Sequence, residues 1–291
     1  MNDFAETTKT DVLDTWMTHR ETGADGPTVV FLHGNPTNSL LWRTTVPQVA
    51  DRARCLAPDL VGMGGSGKPD LAYRFEDHAR HLDAWLSAVV PGGELVLVGH
   101  DWGGALAQDW AARRGDGRVR GIALIETFLR PLEWSEMTPL AHEFFSALRT
   151  PGVGEDMVLK QNLFIERNLP ALIPGIAEDA LDLYRAPFPD PESRRPMLQF
   201  AREFPLGGEP ADVVERMAAY GRWMRRSADV PKLLMTVTPA VGLGAPEMIE
   251  WARENSSTLR VEEVGAAGHH APEQVGPEIG RAVANWLDEI S

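Results

Sequence analysis

The stretch ELVLVGHDWGGALAQDW, residues 94–110, decides the fold. It opens on the apolar run LVLV (95–98), about the length of one buried strand, and closes on the helix-compatible ALAQDW (105–110). Between the two, Gly99, Gly103 and Gly104 crowd around Asp101. Glycines at this spacing make a strand-to-helix turn too tight for side chains, and such a turn lifts its central residue out at the end of the strand. Serine is the usual central residue, and here it is aspartate. Two readings follow. Asp101 caps the helix, since the amides at a helix start favour a carboxylate, or it is a nucleophile.

Outward from this elbow, TVVFLHG (28–34), ARCLAPDL (53–60), VRGIALIE (119–126), KLLMTVTP (232–239) and STLRVEEVG (257–265) read as further buried parallel strands, with DTWMTHRETG (14–23) a more polar candidate. Helical patterns alternate with them. RFEDHARHLDAWLSAVV (74–90) puts Phe75, Leu82, Trp85, Leu86 and Val89 on one stripe, and PEIGRAVANWLDEI (277–290) does so with Ile279, Val283, Trp286 and Leu287. This alternation predicts an α/β fold, a mostly parallel central sheet flanked by helices on both faces. It lapses between Glu126 and Lys232, where AHEFFSALRT, EDMVLKQNLFIERNLPAL, EDALDLYRAPF and PADVVERMAAYGRWMRRSA read as helices and loops. The expected organisation is a core formed by 1–131 and 214–291, with a helical cap, 132–213, inserted into it.

Composition agrees with one large domain carrying an insertion. The chain has 291 residues, 43% of them hydrophobic and 24% charged. A formal net charge of −14 argues against a nucleic-acid partner. No apolar run reaches the roughly 18 residues of a membrane span, so no membrane association is expected. Cys55 is the only cysteine, which excludes an intrachain disulfide and a cysteine metal site. The polar, acidic start MNDFAETTKTDVLDTW lacks the pattern of a secretory signal, and a cytoplasmic location is expected. Nothing in the sequence fixes the oligomeric state.

Chemistry narrows the role of Asp101. A serine that displaces a leaving group from saturated carbon leaves a stable ether. A carboxylate leaves an ester, whose carbonyl water can attack. The second step needs a base and a group to orient it. VEEVGAAGHHAPE brings His269 and His270 to the loop after the last strand, where a base reaches the elbow. Glu126 ends the strand after the elbow helix, and a carboxylate there is costly unless paired. A structural salt bridge is the other reading of Glu126. No acid follows KLLMTVTP, the other strand end that could supply one.

The leaving group is a halide or an epoxide oxygen. An epoxide opens to an alkoxide and needs acidic donors such as a pair of tyrosines, and the chain has only Tyr73, Tyr184 and Tyr220. A halide needs only neutral donors in a dry pocket. Trp102 beside Asp101 and Asn35 in HGNPT offer an indole N–H and an amide NH₂. Neither is informative alone, since tryptophan packs and asparagine turns chains.

These residues lie in motifs that resemble the haloalkane dehalogenases of the α/β-hydrolase fold. The resemblance runs through HGNPTNSLLWR (33–43), DLVGMGGSGKPD (59–70), FEDHARHLDAW (75–85) and GHDWGG (99–104), and continues through IETFLRPLEW, VLKQNLFIERNLPALI, LYRAPF, SRRPMLQF, PADVV and VPKLL. It covers nearly the whole chain and is strongest to the subfamily with an Asp-His-Glu triad and Asn and Trp as halide donors. The resemblance implies a nucleophile at Asp101, a catalytic acid at Glu126, a base at His269 and halide donors at Asn35 and Trp102, whose backbone N–H groups form an oxyanion hole. His269 rather than His270 fits because the family's histidine precedes a glutamate by four positions, and Glu273 stands there. The implied reaction converts a haloalkane to an alcohol, a halide ion and a proton through an alkyl ester on Asp101, which water activated by His269 hydrolyses. It implies no metal and no organic cofactor, and no metal-ligand spacing is present. His33 and His100 read as structural.

Three departures from the family pattern stand out. Leu40 replaces a common aromatic, His270-Ala271-Pro272 replaces an aromatic–aliphatic–Gln stretch, and PAVGLGAP (239–246) is unusual. All three are expected to alter pocket walls or the tunnel mouth. The competing readings are an epoxide hydrolase, a monooxygenase like the coelenterazine luciferases, a fluoroacetate dehalogenase and a ligand receptor on an inactive core. The fluoroacetate enzymes usually have Arg where this chain has Trp102.

Overall fold

The computed structural model describes residues 4, 6–114, 117–240 and 242–290. Eight strands form one sheet: β1 (Thr8–Val12), β2 (Thr15–Gly23), β3 (Thr28–Leu32), β4 (Arg54–Pro58), β5 (Leu95–Asp101), β6 (Val119–Thr127), β7 (Lys232–Thr238) and β8 (Leu259–Ala266). Their order is β1-β2-β4-β3-β5-β6-β7-β8. Pairing is parallel from β4 through β8 and antiparallel for β1–β2 and β2–β4.

This order positions the site. From β3 the chain runs to β4 on one side, and from β5 it runs to β6 on the other. The adjacent carboxyl ends of β3 and β5 therefore part company, and a crevice opens there, as at the switch point of any open parallel sheet. Asn35 follows β3 and Asp101 ends β5.

Alternation of side chains divides the core. Val29, Phe31, Val96, Val98, Ala123 and Ile125 pack on one face, with Trp42 and with Ile279, Val283 and Trp286 of helix Gly276–Ile290. Val30, Leu32, Leu95, Leu97, Ile122 and Leu124 pack on the other, against helices Phe75–Val89 and Trp102–Arg114. Both faces being covered explains why these strands read as unbroken apolar runs.

Between β6 and β7 lie helices Pro139–Arg149, Glu178–Arg185, Arg195–Arg202 and Ala211–Arg226, with shorter turns among them. Helix Ala211–Arg226 packs on the elbow helix through Arg216, which pairs with the buried Asp109 at 3.0 Å. Of the other three, Pro139–Arg149 and Arg195–Arg202 share a cavity with Asp101, and Glu178–Arg185 reaches Glu273 through Tyr184.

Two expectations change, and one segment expected as helices and loops, EDMVLKQNLFIERNLPAL, is more irregular than a plain helix. It breaks into two π-helical turns, Asp156–Lys160 and Phe164–Asn168, around Asn162 at φ +53°, a left-handed value that asparagine tolerates. β8 is an edge strand that is mostly half-buried, so it carries charge at Arg260, Glu262 and Glu263. Finally, β2 is antiparallel and pairs with β1, TKTDV, a strand too short and polar to show in the apolar pattern.

Candidate active site

Asp101 takes φ +51°, a left-handed conformation costing a non-glycine residue on the order of 1–3 kcal/mol. Its neighbours enforce it. A Cβ on Gly103 would sit 2.1 Å from the Leu32 carbonyl oxygen, and one on Gly99 would sit 2.4 Å from the Gly104 Cα. The helix can therefore turn under β3 only with glycine at these positions. Thr127 Oγ1 on β6 donates to the Asp101 carbonyl at 2.6 Å and locks the turn.

The carboxylate is buried at the start of the elbow helix. Its Oδ1 accepts the Asn35 backbone N–H at 2.8 Å, and the carboxylate is also bonded by the Trp102 backbone N–H. Its Oδ2 lies 3.4 Å from His269 Nε2. Burial alone would raise the Asp101 pKa, but the His269 hydrogen bond and charge outweigh it and hold the pKa below the usual carboxylate range.

His269 is placed by the loop after β8. Its Nδ1 faces Glu126 Oε2 at 3.4 Å, so one imidazole spans two carboxylates. Burial lowers its pKa, and the hydrogen bonds and charges of Asp101 and then Glu126 raise it further, to about 10. Glu126 sits at φ +43° near the end of β6, roofed by the turn at Gly244, whose Cβ would lie 2.1 Å from Oε1. The loop itself is pinned. The His269 carbonyl accepts His100 Nε2–H at 2.7 Å, and the Gly268 N–H donates to Gln274 Oε1 at 2.8 Å. Glu273 is held by Arg43, at 2.7 Å for one of the two contacts, and by the hydroxyl of Tyr184 on helix Glu178–Arg185.

The two neutral donors converge on the same crevice. Asn35 Nδ2 donates to the Met197 carbonyl at 3.2 Å, which leaves its second N–H uncommitted, and Asn35 Oδ1 is buried without a partner. The Trp102 indole is wedged among Phe128, Phe200 and Phe75, with ring centroids at 4.5, 5.4 and 5.8 Å. His78 stacks behind Phe200 at 3.9 Å. Sequence reading passed over this aromatic packing, because Phe200 and His78 meet Trp102 only through the fold.

All five expected site residues line one cavity of about 920 Å³. Its walls are largely apolar and include Leu132, Phe144, Phe164 and Phe204. Of the three departures, PAVGLGAP contributes Ala240, Gly242, Leu243, Ala245 and Pro246, and His270 also lines the wall. Leu40 does not. It borders a separate cavity of about 420 Å³ with Arg20 and Asp59, so its expected effect on this pocket is corrected. His33 bridges the Gly34 carbonyl at 2.9 Å and the Leu60 N–H at 3.0 Å, a structural use of both nitrogens.

No tyrosine lines the cavity among the described residues. Tyr73 donates to the Pro69 carbonyl at 2.6 Å, Tyr220 to the Phe128 carbonyl at 2.7 Å, and Tyr184 to Glu273. The hydroxyl protons an epoxide would need are spent elsewhere.

Comparison with known proteins agrees with this geometry. Residues 27–164 match the family model for the alpha/beta hydrolase fold. A haloalkane dehalogenase from Mesorhizobium japonicum is 48% identical over 285 residues, covering 96% of this chain and 90% of the relative. One from Bradyrhizobium diazoefficiens is 44% identical, covering 98% and 95%. The crystal structure of haloalkane dehalogenase DbeA from Bradyrhizobium elkani superposes with a TM-score of 0.93 at 43% identity, over 98% of each chain. An aspartate elbow, a histidine between two carboxylates, a tyrosine-free cavity and full-length kinship converge on one conclusion: the chain belongs to the haloalkane dehalogenase family of the α/β-hydrolase fold.

Proposed function

We propose that Asp101, His269 and Glu126 carry out hydrolytic dehalogenation, with Asn35 and Trp102 holding the departing halide. The chain is a hydrolase acting on carbon–halide bonds, as its full-length relatives are. One observation carries the residue roles: an ionised, buried aspartate, a histidine and two uncommitted neutral donors share a single apolar cavity that no tyrosine reaches.

The first step is displacement. Asp101 Oδ2 attacks the halogen-bearing carbon, forming a C–O bond as the carbon–halogen bond breaks. The halide leaves with the bonding pair toward the Trp102 indole N–H and the free N–H of Asn35. The second step is hydrolysis. His269 takes a proton from water as the water oxygen attacks the Asp101 carboxyl carbon. Negative charge then grows on Oδ1, which the Asn35 backbone N–H already holds, with the Trp102 backbone N–H bonded to the same carboxylate. Collapse breaks the bond from the carboxyl carbon to the alcohol oxygen, which takes one of the two water protons as the alcohol leaves; the other proton passes through His269 to solvent, and the carboxylate is restored. Glu126 stabilises the imidazolium and fixes the ring.

Trp102→Phe keeps the aromatic packing and removes one donor. It is expected to lower kcat/KM for chloroalkanes by about 10²-fold, and by less for iodoalkanes, whose leaving group carries more diffuse charge. Steady-state kinetics across the halide series checks this.

The two steps also separate by pH. Asp101 is ionised well into acid, since its pKa is depressed. Esterification removes the charge that contributes most to raising His269, so the imidazole pKa falls below about 10 in the intermediate. Hydrolysis still needs the neutral ring. At about pH 5, under the ordinary imidazole range, quenched-flow is expected to show a burst of one halide per site followed by slow turnover. A linear time course at that pH would count against His269 as the base.

The reading as a whole is tested by a panel of short bromoalkanes, epoxides and coelenterazine. Halide release matched by alcohol is expected. Diol or light without halide would overturn it. We place the cap at 132–213; the packing of helix Ala211–Arg226 on the elbow helix supports a return to the core near that end. Among the described residues no helix is long and apolar enough to cross a membrane. A cytoplasmic setting is supported by the lone, buried Cys55.

A further inference from the structure

His100, His269 and His270 come together beside the elbow, although 168 residues separate His100 from the other two in the chain. Their ring centroids lie 4.9 Å apart for His100–His269, 4.9 Å for His269–His270 and 5.7 Å for His100–His270. One nitrogen from each ring lies within 4.8 Å of the other two. The His269 carbonyl can only accept, so His100 Nε2 carries the proton of their hydrogen bond and His100 Nδ1 carries a lone pair. That Nδ1 is buried and has no partner, and neither has the buried Nδ1 of His270. Two orphaned imidazole nitrogens beside His269 are costly, and the dehalogenation mechanism uses neither.

We propose that His100, His269 and His270 form a binding site for a divalent cation of the zinc, nickel and copper class, and that its occupation switches hydrolysis off. Imidazole nitrogen suits these ions. Three nitrogens all within 4.8 Å of one another leave a point no more than about 2.8 Å from each. Ligation at about 2.0–2.1 Å therefore needs each nitrogen to move by roughly 0.7 Å, a small side-chain rotation. His269 and His270 line the cavity, which gives an ion its path. The same walls hold the carboxylates of Asp101, Glu126, Glu136 and Glu247, while Arg130 is paired with Glu136. A cation is thus drawn in and its charge is met. Ligation displaces to solvent a proton that His269 carries between Asp101 and Glu126 and takes up the freed lone pair, so the ring no longer takes a proton from water, and turnover stops without damage to the protein.

The test titrates the enzyme with Zn²⁺ while following halide release, and separately titrates it with Co²⁺ while following visible absorption. Zn²⁺ is expected to remove most of the activity and EDTA to restore it, and Co²⁺ is expected to give the intense bands of a low-coordinate site. His270→Phe should raise the half-inhibitory Zn²⁺ concentration by roughly ten-fold or more, since even partners behind a ligand cost about that much, and should abolish the Co²⁺ bands. His270→Gln serves if the phenylalanine variant does not fold. His142→Gln, at an exposed position outside the cavity, should change neither reading. Inhibition and bands that persist unchanged in the His270 variants would overturn the site, as they would show chelation by Asp101 and His269 alone. Absence of both in the unmodified protein would also overturn it. The inhibitory part rests on His269 as the base, but the Co²⁺ spectrum does not, so failure of that assignment is read separately.

Discussion

Asp101→Ala is expected to abolish halide release from every haloalkane, by about 10⁴–10⁶-fold, the range seen when one member of a catalytic triad is removed. The methyl group cannot attack carbon, and water placed at the same point lacks both the held carboxylate and its alignment with Trp102. A second, independent change should accompany the loss. The Asp101 hydrogen bond is the largest influence holding the His269 pKa up to about 10 against burial. In Asp101→Ala the imidazole should therefore titrate at a lower pH, which NMR of the ring protons would follow. The stability effect has a defined window. His269 has a raised pKa, so its contribution is fully present below the unfolded value near 6.5 and is lost as pH rises through about 10. Asp101 has a depressed pKa, so its contribution is lost as pH falls through its folded value. Asp101→Ala should thus lose most stability, relative to the unmodified protein, near neutral pH, and least in strong alkali or strong acid. Denaturant midpoints measured across pH check this.

His269→Phe is expected to give the opposite kinetic failure. Displacement does not need the imidazole, so one halide per site should be released. Hydrolysis does need it, so turnover should fall by a similarly large factor and the ester should accumulate. Peptide mass spectrometry should find the alkyl group, in place of one proton, on the peptide carrying Asp101. The same variant makes a further demand. Without His269, burial acts on Asp101 unopposed by its main partner, and the carboxyl pKa should rise. The alkylation step should then need a higher pH than in the unmodified enzyme. Label on any other residue would reassign the nucleophile.

Much of this was legible in the sequence because it is local. The elbow is written in Gly99, Asp101, Gly103 and Gly104, whose spacing admits one kind of turn. The central strands show as apolar runs because both their faces are buried. Glu126 was legible near the end of one recognisable strand and His269 on the loop after another. What the sequence hid depends on long-range packing. The bond from His100 to the His269 carbonyl joins residues 169 positions apart, and no spacing rule reports it. The clasp of Arg43 and Tyr184 on Glu273 joins distant segments in the same way. The aromatic wedge around Trp102 draws Phe75, Phe128 and Phe200 from three separate elements. The π-helical turns around Asn162 lie in a segment whose pattern shows helices and loops without marking where the helix widens. Leu40 shows the converse error: a residue close in sequence to Asn35 faces a different cavity.

The central claim is that the alcohol oxygen comes from Asp101 and that water attacks only the ester. A single turnover in H₂¹⁸O, with enzyme in excess over a bromoalkane, tests it directly. The alcohol from that first turnover should carry ¹⁶O, and the ¹⁸O should appear in the Asp101 carboxylate. An alcohol carrying ¹⁸O from the first turnover would contradict the account, because it would mean that water displaced the halide itself.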